Sequence, residues 1–214
     1  MDDFFNALRD KHTDFNHGEL NEQLENNPFP LFESLYKEAF DTNQPEPNAC
    51  ALSTVSSEGQ PSSRIVYLKE FTGASFVFYT NYESQKGISL LQNPKCSLLF
   101  FWAGLQRQIR IEGTCVKVSN ELNDVYFDSR PRESQLGAWA SLQSKRIESR
   151  DDLLSRLNEM EQRFPDVVPR PQFWGGFELT PTLIEFWQGR PSRLHDRIVF
   201  ECVDHDWIQY RKNP

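Results

Sequence analysis

From Ala49 to Val118 the sequence reads as five short β-rich runs in succession: Ala49 to Ser56, Ser63 to Lys69, Ser75 to Thr80, Cys96 to Trp102 and Gln106 to Val118. Glu58-Gly59 and Thr72-Gly73 punctuate two of the gaps as hairpin-like turns, which calls for an antiparallel meander rather than βαβ crossovers. Such a meander curls into a small barrel or a curved sheet. The third gap holds a short helix capped by Ser84, carrying Ile88 and Leu91 and stopping at Asn93-Pro94. Four later runs complete the sheet, at Phe173 to Leu179, Leu183 to Gln188, Ile198 to Val203 and Trp207 to Arg211. The fold class expected is mainly β with peripheral helices.

The helices fall outside the meander. Asn27-Pro28 opens an amphipathic helix with Leu31, Phe32, Leu35, Tyr36, Ala39 and Phe40 at three- and four-residue spacing, ending before Pro45 and Pro47. Past Val118 come Asn120 to Asp128, a short piece around Gln135 to Ala140, and a longer helix capped by Ser149 with Asp151 and Asp152 in its first turn. That last helix is expected to bury Leu153, Leu154, Leu157, Met160 and Phe164 on one face before Pro165 closes it. Residues 1–26 are polar and acidic without a sustained apolar stripe. They read as a flexible N-terminal arm, with one helical turn around Phe4 to Leu8 and order supplied only by a partner or ligand. Residues 27–214 then form a single domain.

Several functions are excluded by composition. With 23 basic and 31 acidic side chains the formal charge is −8, a poor balance for nucleic-acid binding. No apolar run reaches the roughly 18 residues of a membrane span, and the start lacks the basic and apolar segments of a signal peptide, so a cytoplasmic protein is expected. Cys50, Cys96, Cys115 and Cys202 are scattered without a CxxC pair and read as buried, reduced thiols. Four histidines without ligand spacing give no metal site.

The basic residues are nonetheless placed informatively: Arg64 and Lys69 on one strand, Lys86 beside a helix start, Arg130 and Arg132 around Pro131, and Arg190, Arg193 and Arg197 near the end. Neighbouring hydroxyls and amides, as in Ser84-Gln85-Lys86 and Gln143-Ser144, suit phosphate recognition as well as an ordinary solvated surface. Arg64 and Lys69 are five apart and so face opposite sides of a regular strand: they serve two anions, as two phosphates in one site would need, or share one through a bulge or a subunit interface. Gln108 alternates with buried-type Ile109 and Ile111; it is either a polar-face residue or an amide reading the edge of a planar ring such as a flavin. Trp187 reads by composition as core. His195, between Arg193 and Arg197, has a setting that suits function and structure equally. No GxGxxG, Walker A or GxSxG motif is present, and spacing alone names no reaction.

Taken together, Arg64-Ile65-Val66-Tyr67-Leu68-Lys69, Phe78-Tyr79-Thr80-Asn81, Ser129-Arg130-Pro131-Arg132-Glu133-Ser134-Gln135, Phe173-Trp174-Gly175-Gly176, Glu185-Phe186-Trp187-Gln188-Gly189 and Arg193-Leu194-His195-Asp196-Arg197 resemble, in order, the pyridoxamine/pyridoxine 5'-phosphate oxidase family. The resemblance runs from about Asn27 to the C-terminus. It implies an antiparallel FMN-binding split β-barrel, a homodimer with two flavins at the subunit interface, and oxidation of pyridoxine or pyridoxamine 5'-phosphate to pyridoxal 5'-phosphate with O2 giving H2O2. The family oxidises the alcohol directly and the amine through an imine that water hydrolyses. Its FMN contacts fall on Arg64, Ile65, Val66, Tyr67, Leu68, Lys69, Tyr79, Thr80, Gln85, Lys86, Gln108, Gln143, Ser144, Trp187 and Arg197. Its substrate-phosphate cradle falls on Lys69, Tyr126, Arg130 and Ser134. Arg193, Leu194 and His195 fall over the pyridine ring, with Arg193 and His195 as the catalytic pair.

Three departures stand out. Gln85 replaces an arginine that many relatives hold against the FMN phosphate, a charge-assisted contact worth about 1.5–3 kcal/mol. The family's Arg-x-x-Tyr substrate lid becomes Arg9 with His12, or in a rival register His12 with Phe15. The end, Tyr210-Arg211-Lys212-Asn213-Pro214, differs from the common Arg-Leu-Ala-Pro. Two other readings remain: a related FMN-dependent oxidase with another substrate, as in phenazine pathways, and a low-turnover flavin- or pyridoxal-phosphate-binding protein.

Overall fold

The computed structural model describes residues 14–214. Arg9, His12 and the turn expected at Phe4 to Leu8 lie outside the described residues. Nine strands are present among the described residues: β1 (Ala49–Val55), β2 (Pro61–Tyr67), β3 (Glu70–Phe71), β4 (Phe76–Asn81), β5 (Lys95–Trp102), β6 (Arg107–Lys117), β7 (Trp174–Gln188), β8 (Asp196–Val203) and β9 (Asp206–Arg211). They form one sheet in the order β2-β1-β5-β6-β7-β4-β3, with β8 pairing both β7 and β9. Five α-helices accompany them: α1 (Pro28–Asp41), α2 (Gln85–Gln92), α3 (Asn120–Asp128), α4 (Arg132–Ala140) and α5 (Arg150–Arg163). None is long and apolar enough to cross a membrane.

The chain divides into two compact units, with β5, β6 and β7 each running through both. One comprises Asn48–Leu98 and Glu112–Thr182. Its first hairpin pairs Ala49 with Tyr67 and Val55 with Pro61 around the expected Glu58-Gly59 turn. Farther on, β4 pairs antiparallel with the start of β7, Asn81 opposite Trp174. Phe127, Leu136, Val168 and Trp174 form a core under α3 and α4. The capping box of α5 is complete, Ser149 Oγ accepting from the Asp152 amide and Asp152 accepting from the Ser149 amide, both at 3.1 Å. The helix itself buries less than its pattern suggests: Leu157, Met160 and the capping Phe164 pack against that core, but no residue of α5 is fully buried and Leu154 is exposed.

The other unit comprises Met1–Pro47, Leu99–Ile111 and Leu183–Pro214. Asn27 caps α1 through the Phe29 amide (3.1 Å), and the buried face of the helix carries Leu31, Phe32, Leu35 and Ala39. Phe32 meets Phe100 with ring centroids 6.0 Å apart. Residues 14–26 have partners within their own chain. The Leu20 amide donates to Asp196, Gln23 exchanges hydrogen bonds with Gln209, and Glu22 pairs with Arg211.

The runs at Phe173 to Leu179 and Leu183 to Gln188 are one strand, β7, where two were expected. Pro181 reads as a breaker because it lacks an amide donor, yet it is buried within the strand. Beside it Gly113 on β6 permits a close approach of the two strands: a Cβ there would stand 2.1 Å from the Thr180 carbonyl oxygen, so only glycine lets the backbone pass. Gly113→Ala is therefore expected to lower stability by about 1–3 kcal/mol, since backbone must give way. A urea midpoint unchanged from wild type would show that the strand relaxes without cost.

Candidate active site

Two half-buried cations define the first cluster. Arg64 on β2 donates from Nη1 to Thr54 Oγ1 (2.9 Å) and the Leu52 carbonyl (3.1 Å), and from Nη2 to Ser62 Oγ. Lys86, in the first turn of α2, donates to Gln143 Oε1 (2.9 Å), Thr80 Oγ1 (3.2 Å) and Ser84 Oγ (3.4 Å). All these partners are neutral, and no carboxylate among the described residues pairs with either cation. Burial, and secondarily the charge of Arg64, pushes the Lys86 ammonium down to about 8; burial also lowers Arg64. Two desolvated cations with only dipoles around them make an anion site, because an anion would relieve both penalties at once. Ser84 caps α2, and its Oγ also donates to the Asn81 carbonyl (2.6 Å). Gly87 allows this close seating, since a Cβ would lie 2.3 Å from the Tyr82 carbonyl oxygen.

An aromatic wall with a cation at its end forms the second cluster. Tyr79 stacks on Tyr126 (3.8 Å, 16°) and on Trp174 (5.5 Å, 12°). Arg130, one helical turn beyond Tyr126, lays its guanidinium 4.4 Å over the Trp174 ring. Its Nη1 is buried without a hydrogen-bond partner. An unsatisfied buried donor costs about 1–3 kcal/mol, a penalty that an arriving acceptor removes. Burial lowers Arg130 and raises Tyr126; Tyr79, which donates to Glu70 (2.7 Å), is raised by burial and then by that carboxylate. Tyr79 and Thr80 are adjacent on β4 and so point to opposite faces. The aromatic wall and the Lys86 cage accordingly lie on different faces of that strand.

The third cluster belongs to the other unit, at the end of β7 and the turn before β8. His195 Nδ1 accepts the Arg190 amide (3.1 Å), so that nitrogen carries no proton and the neutral ring holds its proton on Nε2. Burial, then the charges of Arg193 and Arg197, lowers the His195 pKa and keeps the ring neutral at pH 7. Trp187 lies 4.6 Å from His195 between centroids, and Phe15 packs 5.8 Å from both rings. Ser192 (φ 58°) and Arg193 (φ 61°) are successive non-glycine residues in left-handed conformation, strain of a kind that concentrates at functional turns. Glu185, only 4% exposed, holds Arg197 (2.6 Å) and Arg110 (2.6 Å). Burial raises its carboxyl, but the hydrogen bonds from Arg110 and Arg197 outweigh this and leave it lowered.

The structure thus gathers Arg64, Thr80, Lys86 and Gln143, gathers Tyr79, Tyr126 and Arg130, and separately joins Trp187 to His195. Val66 and Leu68 are buried while Ile65, Tyr67 and Lys69 are exposed, the Lys69 ammonium lying 5.2 Å over the Tyr67 ring. Gln85 and Ser134 are exposed in the first turns of α2 and α4. Ser144 is exposed with φ 69°, Leu194 is exposed, and Gln108 is half-buried on β6. Sequence reasoning gave no role to Glu70 or to the Glu185 carboxylate, and Trp174 entered only within a motif. A carboxylate inside the apolar Leu183 to Gln188 run was the available signal for Glu185.

Comparison with known proteins places the chain in a family. Residues 36–164 match the model of pyridoxamine 5'-phosphate oxidase, and residues 174–214 match that of the pyridoxine 5'-phosphate oxidase C-terminal dimerisation region. The pyridoxine/pyridoxamine 5'-phosphate oxidase of Acaryochloris marina is 52% identical over 91% of this chain and 90% of its own length; that of Bordetella pertussis is 54% identical over 85% and 86%. Among solved structures, PhzG of Burkholderia lata, in complex with tetrahydrophenazine-1-carboxylic acid, superposes with a TM-score of 0.87 at 27% identity over 93% of this chain and all of that one. A pyridoxamine 5'-phosphate oxidase-related FMN-binding protein of Nostoc punctiforme (TM-score 0.71, 16% identity, 87% and 97% covered) shares the fold, the antiparallel split barrel. The chain belongs to the pyridoxamine 5'-phosphate oxidase family of flavoprotein oxidoreductases.

Proposed function

We propose that the protein is an FMN-dependent oxidase that converts pyridoxine 5'-phosphate or pyridoxamine 5'-phosphate to pyridoxal 5'-phosphate, with O2 as acceptor and H2O2 as second product. The observation that carries this reading is a pair of cation clusters without carboxylate partners on opposite faces of β4, which would suit one phosphate on the cofactor and one on the substrate. The residues present fit FMN: the Arg64 and Lys86 cations lack a counter-charge, and Thr80, Ser84 and Gln143 converge beside them. Gln108, Trp187 and Arg197 would hold the rest of the cofactor in a homodimer with two flavins, the association that the match over residues 174–214 supports.

When bound, FMN supplies two-electron acceptance from the substrate C4' carbon and delivery of those electrons to dioxygen. The protein's own share is positional. Arg130 Nη1 offers a phosphate the hydrogen bond it lacks, and Tyr126, Lys69 and Ser134 complete the cradle. Arg193 fixes the pyridine substituents from its strained turn. His195, neutral with its proton on Nε2, donates to the ring or exchanges a proton with the C4' oxygen or nitrogen as the C–H bond breaks.

The deciding experiment is aerobic turnover of pyridoxine 5'-phosphate by FMN-loaded protein, following product and oxygen together. Equal formation and consumption are expected; no product from protein that holds FMN would overturn the reading. Tetrahydrophenazine-1-carboxylic acid as a parallel substrate separates this activity from that of a PhzG-like oxidase: turnover of pyridoxine 5'-phosphate and not of that acid is expected.

Lys86 also makes FMN binding depend on pH. Its ammonium is protonated below about 8 in the free protein, and a bound phosphate dianion would raise that value. Affinity should hold between pH 7 and 8 and then weaken by up to about tenfold per unit as binding comes to require proton uptake. Flavin fluorescence titrations at pH 7 and 9 measure this, and equal dissociation constants would remove Lys86 from the phosphate site.

A further inference from the structure

We propose that Cys96 and Cys115 form a peroxide-oxidisable dithiol, a modification site that closes to an intramolecular disulfide between β5 and β6. Their sulfurs stand 3.1 Å apart, inside the van der Waals separation of two sulfur atoms. The Cys115 amide donates to the Pro94 carbonyl at 2.9 Å, which ties the two backbones together beside the pair. Both thiols are free, so the change needed is a closing of about 1 Å to the S–S distance of roughly 2.05 Å.

The two sulfurs differ in access. Cys115 is 3% exposed, whereas Cys96 is half-buried and lines an open cavity of about 540 Å³ with Ser53, Thr54, Ser97 and Glu112, wide enough to admit a small hydroperoxide. The hydrogen bond to Cys96, followed by burial, pushes the Cys115 thiol upward, so Cys115 keeps its proton while Cys96 meets the oxidant. Cys50 makes a natural control: it is buried, and burial pushes its thiol up to about 12.

The chemistry balances with hydrogen peroxide. The Cys96 sulfur attacks one peroxide oxygen, the O–O bond breaks, and the departing hydroxide takes the Cys96 proton to leave as water, giving a sulfenic acid. The Cys115 sulfur then attacks the Cys96 sulfur; the S–S bond forms, the S–O bond breaks, and the Cys115 proton leaves with the hydroxyl as a second water. Two thiols are oxidised by two electrons and one peroxide is reduced to two waters. The site does not rest on the reaction proposed above, because the oxidant is added.

The test treats reduced, FMN-loaded protein with hydrogen peroxide, then counts thiols after denaturation and maps peptides. The four cysteines should titrate as four thiols before treatment and about half that number after, with a mass loss of two hydrogens, a Cys96–Cys115 cross-linked peptide, and full recovery with dithiothreitol. Cys96→Ser should lose no thiol at the same dose. Cys115→Ser should instead leave Cys96 as a sulfenic acid that dimedone traps. A wild-type count that stays at four, added oxygen on Cys96 without a bridge, or a bridge through Cys50 or Cys202 would each overturn the proposal. The wild-type map decides the matter even where a variant fails to fold.

Discussion

Arg193→Ala is expected to lower kcat/KM for pyridoxine 5'-phosphate by about 10²–10³-fold while leaving the FMN dissociation constant within about threefold of wild type. The expectation rests on where the residue sits. Arg193 follows Ser192 in a turn whose two left-handed residues aim an exposed guanidinium beside a neutral His195, whereas the Arg64 and Lys86 cage belongs to the other unit. Its removal should therefore affect the ring being oxidised and spare the cofactor phosphate. Arg193→Lys keeps the charge but loses the planar fork, and is expected to recover only part of the rate. Unchanged turnover in Arg193→Ala, with flavin absorbance and melting temperature as in wild type, would take Arg193 out of the site.

Arg64→Ala should act in the opposite sense, loosening FMN by about 10- to 150-fold, equivalent to about 1.5–3 kcal/mol for one charge-assisted contact, while enzyme saturated with FMN keeps most of its kcat. Because Gln85 supplies no charge, Arg64 and Lys86 would carry the phosphate interaction between them on the proposed reading. A second readout distinguishes this from general damage. The charge of Arg64 is the smaller of two causes lowering Lys86, so its loss should move the pH at which FMN affinity begins to fall upward from about 8, but short of the ordinary lysine value because burial remains. Weaker binding with no movement of that break would mean that the two cations act independently.

Local patterns in the sequence carried much of the fold. Asn27, Ser84 and Ser149 cap helices where a cap was expected, and the alternation around Ile109 and Ile111 is the burial pattern of β6. Failures arose where a distant residue decides the local outcome. Pro181 is a strand breaker in isolation, yet β7 continues through it, and the close approach that Gly113 permits beside it lies nearly seventy positions away in sequence. The amphipathic stripe of α5 does not tell how much of that helix a neighbouring surface will cover. In the site, Arg64, Lys86 and Arg130 were legible as cations near hydroxyls, and the resemblance supplied roles for them. Their lack of a counter-charge was not legible, because it depends on which carboxylates the fold leaves elsewhere. The same holds for Glu70, which acquires meaning only through the Tyr79 hydroxyl, and for the Cys96 and Cys115 contact across nineteen positions of sequence.

The division of the chain has a consequence for how the protein is made. α1 belongs to a unit whose other pieces are Leu99–Ile111 and Leu183–Pro214, so the ribosome synthesises the helix long before it synthesises the strands of that unit. At translation rates of about 5–20 residues per second, the interval between α1 and the second half of β7 is on the order of 10 s. Through that interval Leu31, Phe32 and Leu35 have no finished unit of their own in which to be buried. Vectorial synthesis thus favours early completion of the β1–β2 hairpin, whose register closes within nineteen consecutive residues, while the apolar face of α1 waits for the later strands of its unit.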